Sequence, residues 1–251
     1  MNRTLVLGVE IDRISFAEAI ELALSCMDSR HGDYVVTPNT EMILRAQKDP
    51  ALRRAIRGAA LSLPDSVGVR IACRLLGETI EERIPGIDFA SALLSRMAGE
   101  GKSVFLFGAR EGVAERAADA LCAAFPGLVI AGTENGYLES AEEDALMERI
   151  SAASPDLLLV CLGSPKQELW MQRCAPHLQV GLMAGLGGAL DVFAGDVDRA
   201  PARWRQRGFE WLYRLARQPK RIKRAVKLPL IVFAAAFNRI KGERKKWQRE
   251  S

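Results

Sequence analysis

The sequence predicts an α/β protein built on a largely parallel sheet, and three observations carry that reading. Short apolar runs alternate with stretches of helical spacing along most of the chain. Polar, proline-containing segments follow several of those runs, as at Thr37-Pro38-Asn39 and Pro64-Asp65-Ser66, the position where open α/β sheets gather ligands. One unit is especially clear: the apolar run Ser103–Phe107, a glycine-bounded turn Gly108–Gly112, a helical pattern Val113–Phe125 and a second run Leu128–Gly132.

Taken in order, Leu5–Ile11 reads as an opening strand and Phe16–Asp28 as a helix, with Ala17, Ile20, Leu22, Ala23 and Cys26 at helical spacing. Tyr34–Thr37 reads as a strand, Thr40–Arg57 as a helix or two, and Ala60–Leu63 as a short strand ending at Pro64-Asp65. Val67–Leu76 and Gly86–Ala98 have helical patterns. After the 103–132 unit come a helix at Ala141–Ala153, a strand at Leu157–Leu162, a helix at Pro165–Cys174 and a last strand at Val180–Ala184. The glycine-rich Gly185-Leu186-Gly187-Gly188 closes the body.

Charge divides the chain. From Arg199 to Ser251 there are 17 Lys/Arg against 3 Asp/Glu, a net of +14, while residues 1–198 hold 18 against 28, a net of −10. We therefore expect two parts: an α/β core at 1–195, and a basic, amphipathic, helical appendage at 196–251. Within the appendage, Arg214, Arg217, Arg221 and Arg224 fall on one helical stripe beside Trp204, Trp211, Leu212 and Leu215, with Pro219 dividing the segment into two short helices. A nearly pure cationic stripe favours phosphate binding over a merely solvated face. Nucleic acid would explain the charge but not the ten-residue apolar run Leu228–Phe237. An anionic membrane surface explains both, so a membrane and not a nucleic acid is the expected partner. The run is about half the ~20 residues that span a bilayer, and charges at Glu10, Asp12 and Arg13 interrupt the N-terminal apolar stretch before a leader forms. The five cysteines lack metal-ligand spacing and read as reduced core thiols, and the two histidines, His31 and His177, as surface or boundary residues.

Several motifs admit two readings. Gly108–Gly112 is either a phosphate loop at a helix N-terminus or a tight connection; it is not GxGxxG, and no acidic residue ends the next predicted strand. In Gly163-Ser164-Pro165-Lys166-Gln167-Glu168, Ser164 is read as an N-cap with Pro165 first in the helix and Gln167 closing a capping box, while Lys166 and Gln167 gather at a strand mouth. Asp65 either caps the helix at Ser66 or serves as a general base. Asp196-Val197-Asp198 matches the metal-holding DxD formally, but lies in the solvated linker after Gly195.

These segments, together and in order, resemble the WecG/TagA/CpsF glycosyltransferase family (glycosyltransferase family 26). The matching stretches are Thr37-Pro38-Asn39 with Glu41, Pro64 to Gly68, Glu82 to Asp88, Leu106-Phe107-Gly108, Gly163 to Glu168, Gly185 to Gly188 with Phe193-Ala194-Gly195, Arg199-Ala200-Pro201, and Glu210 to Leu215 continuing to Pro219, Arg221 and Arg224. The resemblance implies a Rossmann-like core followed by a membrane-binding appendage. It implies an inverting transferase, without metal or other cofactor, that moves N-acetylmannosamine, its uronic acid or a related hexose from a UDP-sugar to a polyprenyl-diphosphate-linked saccharide, for enterobacterial common antigen, teichoic acid or exopolysaccharide. The place implied is the cytoplasmic face of the bacterial inner membrane, and dimers or trimers are known in the family. Residue by residue it makes Asp65 the general base, puts Thr37, Asn39, Arg83 and Gln167 around the pocket, and gives Arg214, Arg221 and Arg224 to a diphosphate. Gly108 and Gly187 join the substrate-binding set. Two rivals stand beside this reading: a nicotinamide-dependent oxidoreductase using Gly108–Gly112, and a non-catalytic module that binds nucleotide or an anionic surface.

Overall fold

The computed structural model describes residues 2–201, 203, 204, 213 and 227–241. The chain runs β1 (Arg3–Val6), β2 (Val9–Asp12), α1 (Phe16–Ser29), β3 (Asp33–Val36), α2 (Thr40–Ala46), α3 (Pro50–Arg57), β4 (Leu61–Ser62), α4 (Val67–Leu75), α5 (Gly86–Gly99), β5 (Ser103–Gly108), α6 (Val113–Ala124), β6 (Val129–Glu134), α7 (Ser140–Ala153), β7 (Leu157–Cys161), α8 (Lys166–Cys174), β8 (Leu182–Gly185) and α9 (Ala189–Phe193). A further helix, α10, spans Lys227–Lys241.

Six strands form one sheet in the order β4-β3-β8-β7-β5-β6, every neighbouring pair parallel. The alternation of side chains along each strand builds a core on either side. Leu157, Leu159 and Cys161 of β7 point to the face covered by α1, α5, α6 and α9, whereas Leu158 and Val160 point to the face covered by α2, α3, α4, α7 and α8. Val104 and Leu106 separate from Phe105 and Phe107 in the same way. The result is the three-layer α/β arrangement that the alternating pattern predicts.

Local chemistry sets the helix starts. Ser15 and Glu18 form a reciprocal capping box on α1. Asn39 accepts the Met42 amide at 3.1 Å to cap α2, and Asp49 with Pro50 restarts the chain as α3, so the Thr40–Arg57 pattern is two helices.

The opening segment departs from expectation. Instead of one strand over Leu5–Ile11, β1 and β2 pair antiparallel as a separate two-stranded sheet. Leu7 and Gly8 take left-handed conformations, φ 50° and 78°, and reverse the chain between Val6 and Val9. Leu7 is a residue type that seldom enters that region, so the turn has almost no sequence signal. Of the cysteines, Cys73, Cys161 and Cys174 are buried and Cys26 half-buried, but Cys122 is exposed; none is in a disulfide. Both histidines are exposed.

Among the described residues no helix is long and apolar enough to cross a membrane. The apolar run Leu228–Phe237 lies within α10, which packs on α4 and α2. Ile231 and Ala235 are buried in the core on that side of the sheet. Leu230, Phe233 and Phe237, at spacings of three and four, are 52%, 73% and 56% exposed. The arginine stripe at Arg214, Arg217, Arg221 and Arg224, and the break at Pro219, lie outside the described residues.

Candidate active site

A cleft of about 380 Å³ opens over the C-terminal ends of β4, β3, β8 and β7, four neighbours in the sheet. Its position follows from topology. The chain leaves β3 and β7 into α2 and α8 on one face, but leaves β8, which lies between them, into α9 on the other. Backbones that diverge above adjacent parallel strands leave a crevice there. Thr37, Asn39, Asp65, Arg83, Gln167 and Gly187, all expected at the site, line it together. They come from five segments spread over some 150 residues of chain.

Asp65 does not cap the helix that follows it; Ser66 does, its Oγ accepting the Val69 amide. The Asp65 carboxylate instead reaches across the cleft wall. Its Oδ1 accepts the Gly86 N–H at 2.9 Å, the first amide of α5. The Asp65 and Ile84 amides donate to the Pro38 and Pro64 carbonyls, at 3.4 and 2.9 Å. The three segments bearing Asn39, Asp65 and Arg83 are thus tied backbone to backbone. Gly86 packs closely there: a Cβ would approach the Thr37 side chain and Leu186 to within 3.2–3.3 Å, so both would have to shift slightly.

Gln167 is 2% exposed and joins the loops after β7 and β8. Its Oε1 accepts two backbone amides, Gly163 at 3.1 Å and Gly187 at 2.9 Å, while its Nε2 donates to Glu168 Oε1 at 2.7 Å. Thr37 holds the β8 loop from the other side, donating from Oγ1 to the Gly185 carbonyl at 3.2 Å. The capping box read at Ser164–Gln167 does not form. Helix α8 begins at Lys166 with Pro165 at its N-cap and no side-chain cap, because the Gln167 side chain is turned to Gly163 and Gly187.

Gly108 is not among the residues that line this cleft, and its backbone has its own reason to be glycine. It ends β5 at φ 134°, and a Cβ there would come within 2.4 Å of the Cys161 carbonyl oxygen. The glycine permits β5 and β7 to pair closely, which supports the tight-connection reading of Gly108–Gly112. Strand β6 also runs further than expected, to Glu134, so an acidic residue does end the strand after that turn. Its carboxylate pairs with Arg149 and accepts both nitrogens of Asn135. Asp196 is paired with Arg116 at 2.7 and 2.8 Å, while Val197 lines the cleft.

Three residues escaped the sequence reading as site residues. Glu41 lines the cleft beside Asn39 and receives Lys227 Nζ of α10 at 2.5 Å; its proximity to Thr37-Pro38-Asn39 was the available signal. Asp191, on the five-residue α9, also lines it and had none. Glu168 lies behind Gln167, fully buried, with Oε2 lacking a hydrogen-bond partner among the described residues. Burial pushes its carboxyl up from the ordinary glutamate range, opposed by the nearby Ser164 hydroxyl, the hydrogen bond from Gln167 and the charge of Arg45. The appendage arginines Arg214, Arg221 and Arg224 lie outside the described residues, so their place relative to the cleft is not described.

Comparison with known proteins agrees with this architecture. Residues 4–245 match the model of the glycosyl transferase WecG/TagA/CpsF family. A curated protein of Bacillus spizizenii (strain ATCC 23059 / NRRL B-14472 / W23), named N-acetylglucosaminyldiphosphoundecaprenol N-acetyl-beta-D-mannosaminyltransferase, is 33% identical over 226 residues, covering 90% of this chain and 86% of that protein. The chain is therefore a glycosyltransferase and belongs to the WecG/TagA/CpsF family.

Proposed function

We propose that this glycosyltransferase moves N-acetylmannosamine, or a closely related hexose, from a UDP-sugar to a polyprenyl-diphosphate-linked saccharide, inverting the anomeric centre without a metal. The observation that carries the reading is the Asp65 carboxylate, held by the Gly86 amide in the same cleft as Arg83 and the Gln167-bound glycine loops. The name of the Bacillus relative supplies the acceptor and sugar class.

In this reading one displacement completes the transfer. Asp65 takes the proton from the acceptor hydroxyl as its oxygen forms the new bond to the anomeric carbon. The bond from that carbon to the β-phosphate oxygen breaks, and UDP departs with the electron pair. Arg83, with Arg214, Arg221 and Arg224 of the appendage, neutralises the charge that develops on the diphosphate; planar guanidinium donors suit it. The outward apolar face of α10, in an arm of net positive charge, supports docking on an anionic membrane at its cytoplasmic side, where a lipid-linked acceptor is presented.

The test is transfer from a panel of UDP-sugars to a short-chain lipid diphosphate carrying N-acetylglucosamine, with and without EDTA. Transfer from UDP-N-acetylmannosamine, insensitive to EDTA and giving the inverted linkage, is expected. A donor without UDP, a retained configuration or loss of activity in EDTA would each remove the corresponding part of the proposal.

A further inference from the structure

We propose that Glu168 is a positioning residue for the transfer: its carboxylate, at the far end of the Gln167 amide from the two glycine N–H groups, locks the orientation in which that amide holds the two glycine loops of the cleft. The role rests on the function proposed above for its kinetic consequence, while the hydrogen-bond arrangement stands on the geometry alone.

A primary amide has an acceptor on one side and donors on the other, so its two orientations are not equivalent. Gly163 and Gly187 both present N–H groups to Gln167 and both need its oxygen. An ionised carboxylate beside the other end accepts only. Glu168 Oε1, 2.7 Å from Nε2, accepts from the NH₂ group, and in its ionised form it excludes the flipped amide. A glutamine side chain at position 168 would have both a donor and an acceptor, so this second constraint would be lost and the two glycine amides alone would hold the orientation.

Stability alone does not account for this carboxyl. It is fully buried, one of its oxygens has no hydrogen-bond partner among the described residues, and burial works against its charge. An uncharged side chain of the same shape would avoid that desolvation. What the carboxylate adds is orientation. Gly163 and Gly187 are in left-handed conformations, φ 76° and 55°, and one Gln167 oxygen links the loops after two different strands. Gly185 leaves room for the device, since a Cβ there would lie 3.0 Å from Gln167 Nε2.

The test uses the full-length protein and two variants, Glu168→Gln and Gln167→Glu/Glu168→Gln. Hydrogen exchange of the Gly163 and Gly187 amides is followed by NMR beside the thermal midpoint, and kcat and KM are measured for UDP-N-acetylmannosamine. For Glu168→Gln, the midpoint should hold or rise, exchange at both glycines should speed at least tenfold, and kcat should fall at least tenfold with KM within about threefold. The double variant should restore protection, because a carboxylate at position 167 accepts both amides and the new carboxamide at position 168 donates to it. Unchanged exchange in Glu168→Gln, faster exchange only in step with a lower midpoint, or no recovery in the double variant would overturn the proposal. So would wild-type kcat in a Glu168→Gln protein whose glycines have lost protection. If the wild-type protein transfers no sugar from any UDP donor, the function proposed above falls, and the exchange data still decide the role of Glu168.

Discussion

Lys227 Nζ lies 2.5 Å from Glu41 Oε1, joining the first residue of α10 to a residue that lines the cleft. The contact is half-exposed on both sides, so its own contribution to stability is small, on the order of 0–1 kcal/mol. Its meaning is geometric. Part of the C-terminal segment is docked at the rim of the site, with Ile231 and Ala235 packed into the body behind it.

Undocking that helix should impair catalysis more than folding. Ile231 is fully buried against the side of the sheet carrying α4 and α2. In Ile231→Asp a carboxylate would have to enter an apolar interface, which is costly enough to release the helix. We expect the thermal midpoint to fall by a few degrees and sugar transfer to drop at least tenfold. Transfer at the wild-type rate, with the helix shown to be released by proteolysis, would separate α10 from the site.

Asp65→Asn tests the base directly. The carboxamide oxygen can still accept the Gly86 amide, so the loop geometry and the thermal midpoint should persist. Without a proton acceptor of suitable strength, kcat should fall by about 10²–10⁴-fold, with the donor KM changing far less. Single-turnover transfer measures this, and near-normal turnover would give the role to another group.

Much of this site was legible because its residues follow apolar strands directly. Thr37 and Asn39 come after β3, Asp65 after β4 and Gln167 after β7, each marked by a neighbouring proline. What could not be read was partnership across the sheet. That Gly108 is glycine because Cys161 approaches its backbone depends on the pairing of β5 with β7, two strands separated by a helix, a strand and another helix. Glu168 looks like one more polar residue of a short helix, and only the folded chain shows it fully buried and bonded to Gln167. The hairpin at Leu7-Gly8 was hidden because a leucine occupies a conformation usually left to glycine or asparagine. Whether Asp65 or Ser66 caps α4 turned on which of two adjacent polar side chains met the Val69 amide.

Gly185→Ala should damage the site with little loss of fold. The added Cβ would lie 2.6 Å from the Met171 methyl and 3.0 Å from Gln167 Nε2. The methionine end can move at modest cost, but the amide cannot shift without lengthening its bonds to Glu168, Gly163 and Gly187. We expect a loss of about 1–2 kcal/mol in stability, the usual range for mild overpacking, and at least a tenfold loss in kcat. Denaturant unfolding alongside kinetics separates the two effects; equal wild-type values in both would show that Gln167 has slack.

The other end of the sheet sets the acid side of stability. Asp156, just before β7, accepts the Ser103 amide and hydroxyl at 2.8 and 3.0 Å and pairs with Arg30 at 3.0 Å, linking the starts of β5 and β7. Burial opposes its charge, but the Ser103 hydrogen bonds, Arg30 and Lys102 outweigh it and hold the carboxyl below the ordinary aspartate range. A carboxyl held lower in the folded chain binds its proton more readily when unfolded. Its stabilising effect is therefore complete above the unfolded value of about 3.9 and is lost as pH falls through the folded value. Asp156→Asn should be less stable than wild type by about 1–2 kcal/mol at pH 7, the range for hydrogen bonds to a partly exposed charged group. That gap should hold down to about pH 5 and shrink steadily below pH 4. Urea unfolding of both proteins from pH 7 to pH 3 measures it, and a gap that stayed constant across that interval would mean that the Asp156 charge contributes nothing.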